Sequence, residues 1–115
     1  MANNKFRGLG IALITPFAKD GSIDFAALDR LIEYQIKGGA DFLCIMGTTA
    51  ETPTLSSDEK KMLKQHFVER VAGRVPLLMG CGGNNTVGVV HELKTSDWSG
   101  IDGILSVCPY YNKPS

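Results

Sequence analysis

Residues 40–60 read ADFLCIMGTTAETPTLSSDEK, and the order of events in that stretch decides the fold. Phe42 to Met46 form a near-continuous apolar run without alternation, the pattern of a strand in a parallel sheet covered on both faces. The run stops in a polar tip, Gly47-Thr48-Thr49-Ala50-Glu51. Ser56, with Glu59 three residues on, then forms a capping box and opens a helix. The unit is therefore strand, polar tip, helix.

Working outward, the same unit recurs. GLGIALITPF (8–17) supplies a strand, because Pro16 and the turn at Gly21 leave no room for a helix. Asp24 is placed to cap a helix whose apolar residues Phe25, Leu28, Leu31, Ile32 and Ile36 keep helical spacing until Gly38-Gly39. Leu63, Phe67 and Val71 mark the buried face of the next helix, up to Gly73. VPLLMG (75–80) is a third strand, and CGGNNT (81–86) is its tip. Val87, Val90 and Leu93 mark a shorter third helix, with Thr86 as a candidate cap. IDGILSVCP (101–109) is a fourth strand that ends in Tyr110-Tyr111. An internal echo links GADFLCIMG (39–47) to GIDGILSVC (100–108), each entering its strand through Gly-x-Asp. Strand and helix alternate throughout, so the class is α/β with parallel strands. A small doubly wound sheet and the first half of a (β/α)8 barrel both accept the pattern, and length alone favours the former.

Composition limits the function classes. The 115 residues are 43% hydrophobic and 21% charged, ordinary for one globular unit, and the formal charge is zero. Without a basic block there is no electrostatic footprint for nucleic acid or for an anionic membrane. No stretch approaches the ~20 apolar residues of a membrane span, and MANNKFRGLG (1–10) lacks the apolar segment of a secretory leader, so the cytoplasm is the expected compartment. Cys44, Cys81 and Cys108 are odd in number and widely spaced, which argues for reduced thiols and against a disulfide framework or a metal site. No cofactor is expected.

In parallel α/β folds the loops at the carboxyl ends of the strands build the site. Here they would bring Thr15, Thr48, Thr49, Asn84, Thr86, Tyr110 and Tyr111 to one rim. Hydroxyls and backbone N–H groups of this kind suit a small carboxylate ligand and the passage of protons. Each motif also has a plain structural reading. Gly-Thr-Thr can be a turn whose threonine satisfies local backbone, and CGGNNT can be a tight turn before a helix. His66 and His91 fall inside helices away from the rim, and Trp98 lies in a loop on the opposite edge, where it is expected to pack.

Taken together, ALITPF (12–17), GTTAETPTL (47–55), GGNNT (82–86) and PYYNKPS (109–115) resemble the dihydrodipicolinate synthase branch of the pyruvate-dependent class I aldolase family, which also contains the N-acetylneuraminate lyases. The double threonine and YYNKP favour the synthase branch. The resemblance implies a (β/α)8 barrel of a homo-oligomeric enzyme that takes two small substrates, pyruvate and aspartate semialdehyde, on the route to diaminopimelate and lysine. A strand-six lysine forms the Schiff base in that family. It further implies Thr48 as a relay hydroxyl, Thr49 with Gly47 as the hold on the pyruvate carboxylate, and Tyr111 as a tyrosine reaching across a dimer interface. Asn84 and Tyr110 would belong to an interface or effector site.

Three departures qualify the implication. Ala50 stands where glycine is commoner, which requires an unstrained backbone there. Gly88 stands where a lysine-inhibited member carries glutamate, which argues against feedback by lysine. Finally, residues 1–115 correspond to strands one to four alone, so the Schiff-base lysine is expected beyond Ser115, and the chain by itself is expected to be inactive. Two functions fit this sequence: the N-terminal half of a lyase, or a non-catalytic half-barrel that acts only by association or binding.

Overall fold

The computed structural model describes residues 5–82 and 85–106. Four strands alternate with three helices: β1 Gly10–Ala12, α1 Phe25–Lys37, β2 Phe42–Ile45, α2 Ser57–Val71, β3 Leu77–Gly80, α3 Thr86–Thr95 and β4 Gly103–Leu105. Two short 3-10 turns, Thr48–Ala50 and Thr52–Thr54, separate β2 from α2. All strand pairs are parallel and the sheet order is β1-β2-β3-β4. That in-order arrangement selects between the two architectures. A doubly wound sheet reverses direction at a switch point, whereas a barrel adds each strand on the same side of the last.

The helices begin where the sequence places them. Asp24 accepts a hydrogen bond from the Ala27 N–H at 2.9 Å. The Ser56 side chain accepts from the Glu59 N–H at 3.1 Å, and Glu59 returns to the Ser56 N–H at 2.9 Å, so the capping box is complete. Leu28 and Ile32 of α1 pack with Leu63, Phe67 and Val71 of α2 against Leu43, Ile45, Leu77 and Met79 of the sheet. Each such side chain contributes about 1.5–3 kcal/mol by leaving water. Along the seam between α1 and α2, His66 Nε2 lies 2.6 Å from Asp29 Oδ1, and Arg74 makes a two-pronged contact with Glu33 at 2.7 and 3.0 Å. His66 also rests on the Phe25 ring, centroids 4.8 Å apart, so it is a helix-packing histidine. Trp98 packs as expected, its indole N–H donating to the Leu93 carbonyl at 3.0 Å.

The Gly-x-Asp echo has a structural cause. Asp41, just ahead of β2, accepts the Leu9 N–H at 2.7 Å beside the start of β1. Asp102, just ahead of β4, accepts the Leu77 N–H at 2.9 Å at the start of β3. Each carboxylate thus satisfies a backbone donor that the neighbouring strand leaves unpaired. The glycines two residues earlier, Gly39 and Gly100, have φ of +100° and +81°, which only glycine adopts without strain. Lys5 pairs with Asp102 at 2.8 Å, and that ion pair together with the Leu77 hydrogen bond lowers the Asp102 pKa. Phe6 stands edge-on to Phe42, so the N-terminal segment crosses beneath the sheet from β4 towards β1.

Three expectations are corrected. The sheet is covered on one face: Leu43, Ile45, Leu77 and Met79 are buried, while Phe42, Cys44, Leu78 and Gly80 between them are only half-buried. A near-continuous apolar run here reflects a helix-covered face and an open face with apolar residues on both. The cap of α3 is Asn85 and not Thr86, which is the first helical residue. Asn85 Oδ1 accepts from the Gly88 N–H at 3.3 Å, and its short amide reaches the third helical position that a residue inside the helix cannot. The apolar residues of α3 are also not a buried face, since Val87 is 79% and Val90 43% exposed. The helical period is present, but there is no second helical layer against it among the described residues.

Candidate functional site

The carboxyl ends of β1, β2 and β3 meet at one edge, and β2 supplies its centre. Gly47 follows β2 after Met46, half-buried, and the backbone of Thr48 to Ala50 closes a 3-10 turn in which the Ala50 N–H donates to the Gly47 carbonyl at 3.0 Å. Thr49 is exposed on that turn and Ala50 is buried. Asn84, Tyr110 and Tyr111, the other sequence-predicted site residues, lie outside the described residues, as does Cys108.

The chain leaves and re-enters this turn through two left-handed residues that are not glycine, Met46 at φ +58° and Glu51 at φ +57°. Each such residue costs about 1–3 kcal/mol and persists only where its surroundings hold it. Ala50 is not among the left-handed residues, so alanine is accommodated there as the sequence requires. Two hydroxyls hold the segment. Thr15, three residues past the end of β1, is 3% exposed, and its Oγ1 donates to the Ala50 carbonyl at 2.7 Å. Thr52 Oγ1 lies 3.0 Å from the Met46 carbonyl oxygen and 2.8 Å from that of Gly47. A third constraint comes from β3, where a Cβ on Gly80 would collide with the Met46 carbonyl oxygen and lie 2.9 Å from the Gly47 Cα. Glycine at 80 is thus a packing requirement of the β2 turn. A Cβ on Gly47 would meet only Cys44 Sγ, at 3.8 Å, so the glycine leaves room above the strand end.

Sequence reasoning placed Thr15 on this rim but did not pair it with Ala50, and it did not identify Thr52 or Gly80. A threonine 35 positions away carries no local signal of such a bond. The thiols nearby are poor nucleophiles. Burial raises the Cys44 pKa, and burial together with the charge and hydrogen bond of Glu92 pushes that of Cys81 up to about 11, so both are protonated at neutral pH. None of the described lysines lies in a strand, and no cluster of potential metal ligands occurs among the described residues. Among the described residues the rim therefore presents hydroxyls and backbone without an amine or thiolate of its own.

A strand edge arranged in this way has counterparts in known proteins. The 4-hydroxy-tetrahydrodipicolinate synthase of Parabacteroides distasonis is 55% identical over 115 residues, which span all of this chain and 39% of that relative. Among solved structures, a monomeric dihydrodipicolinate synthase variant superimposes with a TM-score of 0.88 at 40% identity, covering 96% of this chain and 37% of the other. The dihydrodipicolinate synthase of Acinetobacter baumannii, solved with pyruvate, gives 0.87 at 35% identity over 94% of this chain and 37% of its own. The chain spans about two fifths of the relatives it matches. These neighbours are barrel enzymes, and the in-order parallel sheet is the first half of their fold. With the dihydrodipicolinate synthetase family model matching residues 5–115, the chain belongs to that family.

Proposed function

We propose that this chain supplies the N-terminal half, strands one to four, of a (β/α)8 lyase that condenses pyruvate with aspartate semialdehyde. The observation that carries the reading is the Gly47-Thr48-Thr49 turn, held at the carboxyl edge of β2 by Thr15 from the segment after β1 and by the close approach of β3. In this reading the Schiff-base lysine comes from the remainder of the barrel. Its neutral amine attacks the pyruvate ketone, and water leaves as the imine forms. Each of these steps moves a proton, and Thr48 is the hydroxyl that passes it. Thr49, with Gly47 beside it, holds the carboxylate. Hydroxyls suit this work because they relay protons without placing a fixed charge beside the amine. Tyr111 completes the relay from across a dimer interface, and Tyr110 with Asn84 belongs to an interface or effector site. The reading carries with it a homo-oligomeric, cytoplasmic enzyme of diaminopimelate and lysine biosynthesis.

The test is reconstitution. The chain is co-expressed with the part of the Parabacteroides relative that it does not span, and condensation of the two substrates is assayed. Activity of the assembled pair is expected, and a folded, stoichiometric assembly without activity would overturn the reading. In the active assembly Thr48→Val should lower kcat by about one to three powers of ten while changing KM for pyruvate far less.

A further inference from the structure

The hydroxyls of Thr15 and Thr52 do not touch the place where substrate is proposed to bind, yet both are spent on the backbone of the turn that carries Thr48 and Thr49. We infer that Thr15 and Thr52 are positioning residues, a two-point clamp that fixes the turn in the one conformation where its threonines are in register with the rest of the site. The inference rests on the proposed reaction for its catalytic consequence, while its geometry stands on the fold.

The clamp grips the turn at both ends. Thr52 takes the entry, bridging the carbonyls of Met46 and Gly47, and Thr15 takes the exit, at the carbonyl of Ala50. Between these points lie only Thr48 and Thr49. At the entry point of the grip and just beyond its exit stand Met46 and Glu51, both left-handed without being glycine. A segment with these two residues relaxes towards ordinary φ values unless held, and relaxation rotates the peptide planes between them. The grip is also uneven in reach. Thr52 is local, five and six residues from its acceptors, whereas Thr15 is 35 residues away, in the segment that follows β1. Thr15 therefore ties the turn to the sheet itself, and it is buried, so water does not substitute for its hydroxyl. Gly80 closes the third side by letting β3 approach the Met46 carbonyl. A proton relay depends on donor and acceptor separations to within a fraction of an ångström, which a turn held at one end does not secure.

The experiment uses the reconstituted barrel with Thr15→Val, Thr15→Ser and Thr52→Val. Valine keeps the shape and removes the hydroxyl; serine restores it. Turnover is expressed per imine-forming site, counted by borohydride trapping, so that loss of folded protein does not enter. Thr15→Val is expected to lower kcat by about 10- to 100-fold. Thr15→Ser should recover most of it, and Thr52→Val should produce a smaller drop in the same direction. Amide exchange at Ala50, whose N–H closes the turn, is read in the same samples and should accelerate in both valine variants. Unchanged turnover per site in both valine variants would overturn the inference, as would unchanged Ala50 exchange. If the unsubstituted assembly lacks condensation activity, the failure belongs to the proposed reaction, and the exchange result alone decides the clamp.

Discussion

Ile45, Met79 and Ile104 stand side by side in one register row on the helix-facing side of the sheet, yet their exposures are 0%, 6% and 41%. The residue types are equivalent and so is the backbone. What changes across the row is cover. Ile45 and Met79 lie in the core that α1 and α2 close over, whereas β4 stands at the far edge, beside α3, which buries none of its own residues. Burial at a strand position is therefore a property of the neighbouring helices more than of the strand. The middle strands and the β4 edge, alike in residue type, differ in how much of their apolar surface they have left to bury. On the proposed reading, the rest of the barrel covers the β4 edge.

Substitution along the row exposes the difference in cover. Ile45→Ala should cost about 2–5 kcal/mol, the range for truncating a fully buried aliphatic side chain, whereas Ile104→Ala should cost less than half as much. Urea midpoints of the two variants measure this. Equal losses would mean that the β4 edge is covered in solution and that the row is uniform after all. In the reconstituted barrel the Ile104 variant should move towards the Ile45 value.

A finer contrast sits at the helix starts. Ser56→Ala removes one arm of a reciprocal box and should cost about 1 kcal/mol. Asn85→Ala removes a single longer bond from a helix with no buried residues, so its effect on global unfolding should be smaller. Thermal transitions of the two variants check the order. A larger loss at Asn85 would indicate that α3 is held more firmly than its exposure implies.

These contrasts also mark what the sequence could convey. Asp24, Ser56 and the apolar runs made the element order legible because caps and periodicity are local and depend on a few adjacent residues. The Gly-Thr-Thr turn was legible as a polar tip for the same reason. Val87 and Val90 misled because helical spacing states which residues share a face, not whether anything lies against it. Asn85 and Thr86 are both capping types, and a one-residue choice between them depends on where the helix starts. Thr15, Thr52 and Gly80 were hidden differently. Each acts on backbone atoms of the β2 turn, and backbone atoms leave no trace in residue identity. The left-handed Met46 and Glu51 are the extreme case, since neither residue type favours that conformation.

On the proposed reading, this chain holds the hydroxyl half of a site whose amine lies in the other half of the barrel. Borohydride reduction in the presence of pyruvate, followed by intact mass of each polypeptide in the reconstituted assembly, tests it most directly. A stoichiometric pyruvate-derived mass gain is expected on the complementing segment and none on this chain, whether assembled or alone. A stoichiometric gain on any lysine of this chain would contradict it.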